Sequence, residues 1–379
     1  MTSTVDTTGL ARTDDTLARP SRSHELAEHR EPLDPARLRR AKVAYTTRFL
    51  AEHLRSEQDL TLVAGAAVQP RPGDITLARV VEIGQHKRLE SPTSRRAALF
   101  VGDEVVVAYG HRYAPDQFEA EVPEDLAPAH LVAAGGVVGR VTAQHAAIED
   151  ATVLQPLGLL ADETGVLTLE RLAPCRLVDP SSELGLPRPR VVAVLGTSMN
   201  SGKSTTLACL VRGLVASGRQ VSAGKVTGTG AGGDPGMFLD AGAARVLDFT
   251  DFGFPSTYRL AHTQVRALLV SMIEHLSEPT TDVVVLEIAD GVYQQETARL
   301  IGDPVFADLV DHVVFAAADS LGAAAGVSSL QAAGLDVVAC SGVVTASPLA
   351  AGEARGALGV PVIDTFDLTD PEAAGRLLS

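Results

Sequence analysis

Chemistry is most concentrated where Gly196 and Gly202 bracket Thr197, Ser198, Met199, Asn200 and Ser201, with Lys203, Ser204 and Thr205 directly after. Glycines let a backbone turn tightly around an anion, a lysine neutralises phosphate charge, and a serine hydroxyl completes a magnesium shell. Gly196, Thr197, Asn200, Ser201, Gly202, Lys203, Ser204 and Thr205 are therefore the expected nucleotide-binding set. Lys203 would reach the β- and γ-phosphates, and Ser204 would face Mg²⁺. A ligand-free Gly-Ser turn with an exposed lysine would look the same locally. The flanks argue against it: Arg190-Val-Val-Ala-Val-Leu195 is a buried-strand run, and Leu207, Leu210, Val211, Leu214 and Val215 mark one face of a following helix that stops at Gly218. Strand, loop and helix in that order turn the first helical amides toward phosphate.

Three further charged positions end apolar strands. Lys225 closes a strand running from Val221, where a cation would neutralise a transferred phosphoryl group or sit exposed at a strand end. Asp282-Val-Val-Val-Leu-Glu-Ile-Ala-Asp-Gly291 is a strand with two acids, Glu287 and Asp290, toward its end. Glu287 suits a metal contact, and Asp290 suits either a general base or a turn before Gly291. Lys203, Lys225 and Asp290 are the expected catalytic residues. Gln294, Gln295, Glu296 and Thr297 fit a substrate pocket or an exposed helix face equally. Gly228-Thr-Gly-Ala-Gly-Gly-Asp-Pro-Gly236 reads as a flexible loop.

Five residues separate Gly196 from Gly202, one more than in the common phosphate loop, and Thr197 stands where the strict motif has its first glycine. This longer form resembles the loop of dethiobiotin synthetases and their P-loop relatives, including the P-loop domain of D-glutamate N-acetyltransferases. The resemblance covers residues 190–379. It implies that Lys225, in Ala223-Gly-Lys-Val-Thr-Gly-Thr229, faces phosphate or substrate, and that Glu287 occupies the position of the family's metal-binding glutamate. It also implies a metal-site aspartate after the second strand, which falls on Asp248 or Asp251; Asp251, the expected metal ligand beside Ser204 and Glu287, fits a helix cap as well. Ile288-Ala289-Asp290 departs from the family pattern, so Asp290 inherits no role.

The elements that must position these residues divide the chain. Residues 1–33 are polar and lack the apolar content to offset ordering, which predicts a disordered tail. Residues 34–178 predict one helix from Asp34 to Leu54, then a β-rich, barrel-like region with strands at 74–83, 97–109 and 136–141. A Pro- and Ser-containing linker at 179–189 follows. Residues 190–379 alternate strand and helix, with later strands at 312–318, 337–344 and 360–366, which predicts a mainly parallel sheet buried on both faces. The expected fold class is thus α/β: a P-loop NTPase unit behind a small β-rich one.

A formal net charge of −15 argues against nucleic acid or anionic membranes as partners, and only 4% of residues are aromatic. The basic cluster Lys87, Arg88, Arg95 and Arg96 fits a solvated turn better than a phosphate contact. Three dispersed cysteines fit a reducing, cytoplasmic setting, and no apolar stretch is long enough to span a bilayer. The absence of an Asn-Lys-x-Asp guanine reader favours ATP. The leading expectation is an ATP-Mg²⁺-dependent kinase or ligase acting on a small metabolite. An acyl-coenzyme A-dependent N-acyltransferase and an NTPase switch or metallochaperone are the alternatives, and a homodimer stays open.

Overall fold

The computed structural model describes residues 30–53, 60–178 and 188–378. Residues 1–29 of the expected tail and 179–187 of the expected linker lie outside them, whereas Arg30–Pro32, expected within the disordered tail, form a strand held by antiparallel pairing with Thr61–Val63.

Five strands of the first region close into a ring: Ile75–Glu82, Glu104–Tyr109, Val137–Gln144, Ala129–Ala133 and Thr152–Asp162, the last pairing back onto the first. Neighbours run antiparallel except where Val137 and Val138 meet Ala108 and Tyr109 in parallel. Closure removes the exposed edges that an open sheet of this size would present. Alternation assigns the two faces. Val105, Val107 and Tyr109 pack with Leu131, Val138 and Leu154, whereas Val106 and Ala108 pack with Leu38, Leu50 and Leu160.

The single helix expected from Asp34 to Leu54 is instead a helix at Pro35–Arg40, a strand at Lys42–Val43 and a short helix at Leu50–His53. Lys42 and Val43 pair with Val105 and Val106, and that tertiary pairing overrides the helical spacing of the apolar residues. The strand expected at 97–109 is likewise two, Arg96–Ala98 and Glu104–Tyr109, parted by a turn in which Gly102 has φ +93°.

The second region is a six-stranded sheet, whose strands are numbered here in chain order: β1 Arg190–Gly196, β2 Val221–Lys225, β3 Arg245–Asp248, β4 Val283–Glu287, β5 His312–Ala316 and β6 Val337–Ser341. All pairings are parallel, in the spatial order β3-β2-β4-β1-β5-β6. Val192, Val194, Val283 and Val285 pack beneath helix Lys203–Ala216, and Val191, Ala193, Val284 and Leu286 beneath helix His262–Leu276. Burial on both faces explains the unbroken apolar strands. Residues 360–366, expected as a further strand, form only a single bridge from Val362 to Cys340. Pro361 has no amide hydrogen to extend that ladder.

Candidate functional site

In an open parallel sheet the carboxyl ends of the strands supply the site, at the point where connections diverge to either side. Here that point is β1, flanked by β4 and β5. Parallel register aligns Lys225 with Glu287 on one side and with Asp248 on the other, so three charged side chains are set across adjacent strand ends.

The loop after β1 is tightly folded. A Cβ on Gly196 would lie 2.4 Å from the Ser201 hydroxyl, and one on Gly342 would lie 2.5 Å from the Ser201 carbonyl. Asn200 and Gly202 both take positive φ, 61° and 95°, to complete the turn. Helix Lys203–Ala216 starts from Gly202 with no side-chain cap. Its first amides therefore have no intrahelical acceptor and face the loop's concavity. Lys203, 5% exposed, arches back to donate to the Ser198 carbonyl at 2.7 Å. Burial lowers its pKa, against the opposing charges of Glu287 and Asp290. A strand running into this turn and then into a helix begun by Gly202-Lys203-Ser204 is the signature geometry of phosphate binding. The second region is a P-loop NTPase fold.

A cavity of about 490 Å³ opens at the P-loop, lined in part by Asn200, Lys203, Ser204, Lys225, Glu287 and Asp290. Gly202 and Thr205 also border it. Gly196, Thr197 and Ser201 shape the P-loop from behind: the Thr197 hydroxyl accepts from the Ala318 amide at 3.3 Å, and the Ser201 carbonyl accepts from the Val343 amide at 3.0 Å. Within the cavity Lys225 lies 3.1 Å from Glu287 and hydrogen-bonds Asp234. Burial disfavours the Lys225 charge, but the two carboxylates outweigh it and hold the pKa above the usual lysine range. Burial likewise pushes Asp290 up, against the pull of Lys203, Lys225 and Arg112.

Asp234 is the acid that sequence reasoning missed. The glycine-rich run 228–236, expected as a flexible loop, enters helix Gly233–Asp240 from Gly233 onward, with Asp234 in the first turn. Burial raises the Asp234 pKa, but Lys225 and a hydrogen bond with Ser204 bring the balance below the usual range. Asp251, expected at the metal, is held elsewhere. Its carboxylate accepts from the Asp248 amide at 2.8 Å and from Arg48 at 2.6 Å, so it completes the capping box of the 3₁₀ turn Phe249–Phe252, whose N-cap is Asp248. Asp248 is similarly taken, by the Tyr45 hydroxyl at 2.9 Å. Gln294 caps helix Gln295–Ile301, Glu296 accepts from the Arg259 amide and Thr297 donates to the Ala289 carbonyl, so this group supports the P-loop region rather than lining the cavity. In the basic cluster, Lys87 pairs with Glu149 and Arg96 with Glu90.

The fit to Mg²⁺ rests on Glu287. Its carboxylate is 1% exposed, one oxygen faces Lys225, and the other is buried without a partner. An unpartnered buried carboxylate oxygen is costly unless a cation or donor meets it. Ser204 and Asp234 stand beside it, an oxygen-rich set suited to a hard cation shared with phosphate. Among the described residues no group of three or more His, Cys, Asp or Glu forms a self-sufficient metal cage.

The barrel also reaches the P-loop. Asp116 accepts from the Asn200 side chain at 2.7 Å. Arg112, held by the Val132 carbonyl and by Gln117 at 3.0 Å, has its pKa lowered to about 10 by burial, with Asp290 and Asp116 opposing.

The chain matches no protein-family model and no curated protein. Three of the solved structures that match it do so with TM-scores of 0.30 to 0.33. The signal recognition particle 54 kDa protein of Aeropyrum pernix K1, in complex with GDP, is 19% identical with a TM-score of 0.33, the likeness covering 55% of this chain and 49% of that one. The signal recognition particle receptor FtsY of Elizabethkingia anophelis is 17% identical with a TM-score of 0.31, covering 48% of this chain and 64% of that one. The same receptor in complex with GDP is 15% identical with a TM-score of 0.30, covering 54% of this chain and 68% of that one. The match thus spans about half to two thirds of those structures. The dethiobiotin-synthetase resemblance stays with the P-loop residues that carry it. No helix among the described residues is long and apolar enough to cross a membrane.

Proposed function

We propose that the protein is an enzyme that binds a Mg²⁺-nucleoside triphosphate, ATP by the absence of a guanine reader, and transfers or activates phosphate toward a small metabolite. The observation that carries this reading is Asp290. It lines the same cavity as Lys203, Ser204, Lys225 and Glu287, and its pKa is raised by burial. A carboxylate with raised proton affinity at the phosphate end of a cavity is suited to take a proton from an attacking hydroxyl or amine.

In this reading Lys203 and the open amides of helix Lys203–Ala216 bind the β- and γ-phosphates. Lys225 offsets charge on the phosphoryl group, as phosphoryl transfer requires. Ser204, Glu287 and Asp234 would hold Mg²⁺, which supplies electrostatic stabilisation of the phosphate oxygens when bound. Asp290 orients the acceptor and holds its proton on a carboxylate oxygen. The barrel meets the P-loop beside this cavity through the Asp116–Asn200 hydrogen bond.

A second reading, a nucleotide-driven switch, is favoured by one contact. The Asn200–Asp116 hydrogen bond joins the P-loop to the barrel directly, so a change at phosphate would be felt there. The readings part in one assay: ADP release from Mg²⁺-ATP by the wild type, Lys203→Ala and Asp290→Asn, with panels of amines, alcohols and carboxylic acids. The enzyme reading expects turnover with one substrate class, its loss in Lys203→Ala, and a fall of about 10²–10⁴-fold in kcat for Asp290→Asn with nucleotide affinity retained. Substrate-independent hydrolysis that Asp290→Asn leaves intact would favour the switch. Acyl transfer from an acyl-coenzyme A, with no ADP formed, would replace both.

A further inference from the structure

The glycine-rich segment that carries Asp234 is clasped by the barrel. A Cβ on Gly135, in the barrel, would lie 1.9 Å from the Gly230 carbonyl oxygen. A Cβ on Gly230 would lie 2.7 Å from Thr46, and one on Gly232 would lie 1.9 Å from the Ser94 hydroxyl. At Gly135 two backbones meet where no side chain fits, and at Gly230 and Gly232 the space a side chain would need is held by Thr46 and Ser94. At the centre of this contact the Glu90 carboxylate accepts from the Gly232 amide at 2.9 Å. Glu90 is 4% exposed, its other oxygen is 3.6 Å from Arg96, and its own carbonyl accepts from the Tyr45 amide at 2.8 Å.

Gly232 is the N-cap of helix Gly233–Asp240 and has no side chain to cap it. Glu90 supplies from the barrel the acceptor for the N-cap amide that a glutamate at the third helical position supplies in a capping box, and its negative charge suits the positive end of the helix. Asp234 lies two residues beyond, hydrogen-bonded to Lys225. We infer that Glu90 is a positioning residue for the phosphate site: by docking the start of this helix it fixes Asp234 against Lys225 and Ser204, so the charge array is complete only while the barrel grips the segment. The inference rests on the nucleotide-site reading above, but the placement of Asp234 is measurable without nucleotide.

The test compares the wild-type chain with Glu90→Ala and Glu90→Gln by amide hydrogen exchange over residues 230–240, by the rate at which acetic anhydride labels Lys225, and by the Mg²⁺ concentration needed for binding of a fluorescent ATP analogue. Exchange over the strand 104–109 reports whether the barrel remains folded. The expected result for Glu90→Ala is faster exchange over 230–240, Lys225 labelling and Mg²⁺ requirement each raised about tenfold, as loss of a hydrogen bond to a charged acceptor implies, and unchanged protection over 104–109. Glu90→Gln, which keeps an acceptor oxygen and side-chain volume, should fall between the two, and it carries the test should the alanine variant fail to fold. Unchanged exchange and labelling would overturn the inference, as would a loosened segment with an unaltered Lys225. A wild-type chain that binds no Mg²⁺-nucleotide would overturn the proposed function alone, the exchange and labelling results still deciding the role of Glu90.

Discussion

The ammonium of Lys225 stands 3.1 Å from the carboxylate of Glu287, across two strands whose parallel register places the residues side by side. Asp234 joins Lys225 from a separate helix. One cation between two acids, 13% exposed, is a charge balance that removal of the lysine would leave unsatisfied.

Lys225→Met is therefore expected to destabilise the protein by about 3–5 kcal/mol, the cost of leaving buried carboxylates unpaired. The double variant Lys225→Met/Glu287→Gln should recover much of that loss, because contacting residues are strongly non-additive. Denaturant midpoints of the three proteins measure it. A single variant within about 0.5 kcal/mol of the wild type would show that the array carries no net strain to release.

Asp251 gives the interface between barrel and sheet a pH dependence. Burial first, and then the neighbouring Asp248 charge, push its pKa up to about 6, against the pull of Arg48. In the unfolded chain an aspartate titrates near 3.9. Between these values the folded state holds the extra proton, so this residue's contribution is fully present at low pH and is lost as pH rises through about 6. Groups facing it include Asp248, Arg48 and Tyr45. The difference in stability between wild type and Asp251→Asn should change with pH from about 4 to 6.5 and flatten above it. Parallel melting curves across that range would refute the assignment.

Gly135→Ala tests the close approach of the two regions. The new methyl would meet the backbone oxygen of Gly230, which cannot rotate away, and overpacking of this kind costs about 1–3 kcal/mol. Thermal melting and binding of Mg²⁺-nucleotide should both weaken. Gly352→Ala, in open space on helix Pro348–Ala357, should leave both intact. Equal behaviour of the two variants would mean that the barrel and the segment 228–236 separate without consequence.

What the sequence disclosed follows from where each interaction partner lies. Gly196 to Thr205 were readable because a phosphate loop is built from neighbours in the chain, and the buried strands because burial on both faces writes itself as continuous apolar runs. Asp234 was hidden because glycines signal freedom locally, whereas its placement depends on Glu90, 142 positions from Gly232. Asp251 looked like a ligand because an acid after a strand serves a cap or a metal equally well, and only Arg48, 203 positions away, separates the two. The helix expected through Lys42 and Val43 failed for the same reason, since their strand partners are Val105 and Val106.

The Gly135–Gly230 contact also orders events in time. Synthesis proceeds from the amino end, so residues 30–178 leave the ribosome before Gly230 is made, and units of this kind fold as they emerge. The barrel groove would then exist as a finished mould before the segment that fits it. Maturation of the phosphate site becomes a docking step late in biogenesis, and a substitution inside the barrel, far from any phosphate, would surface as a delay in acquiring nucleotide binding rather than as a change in the nucleotide it prefers.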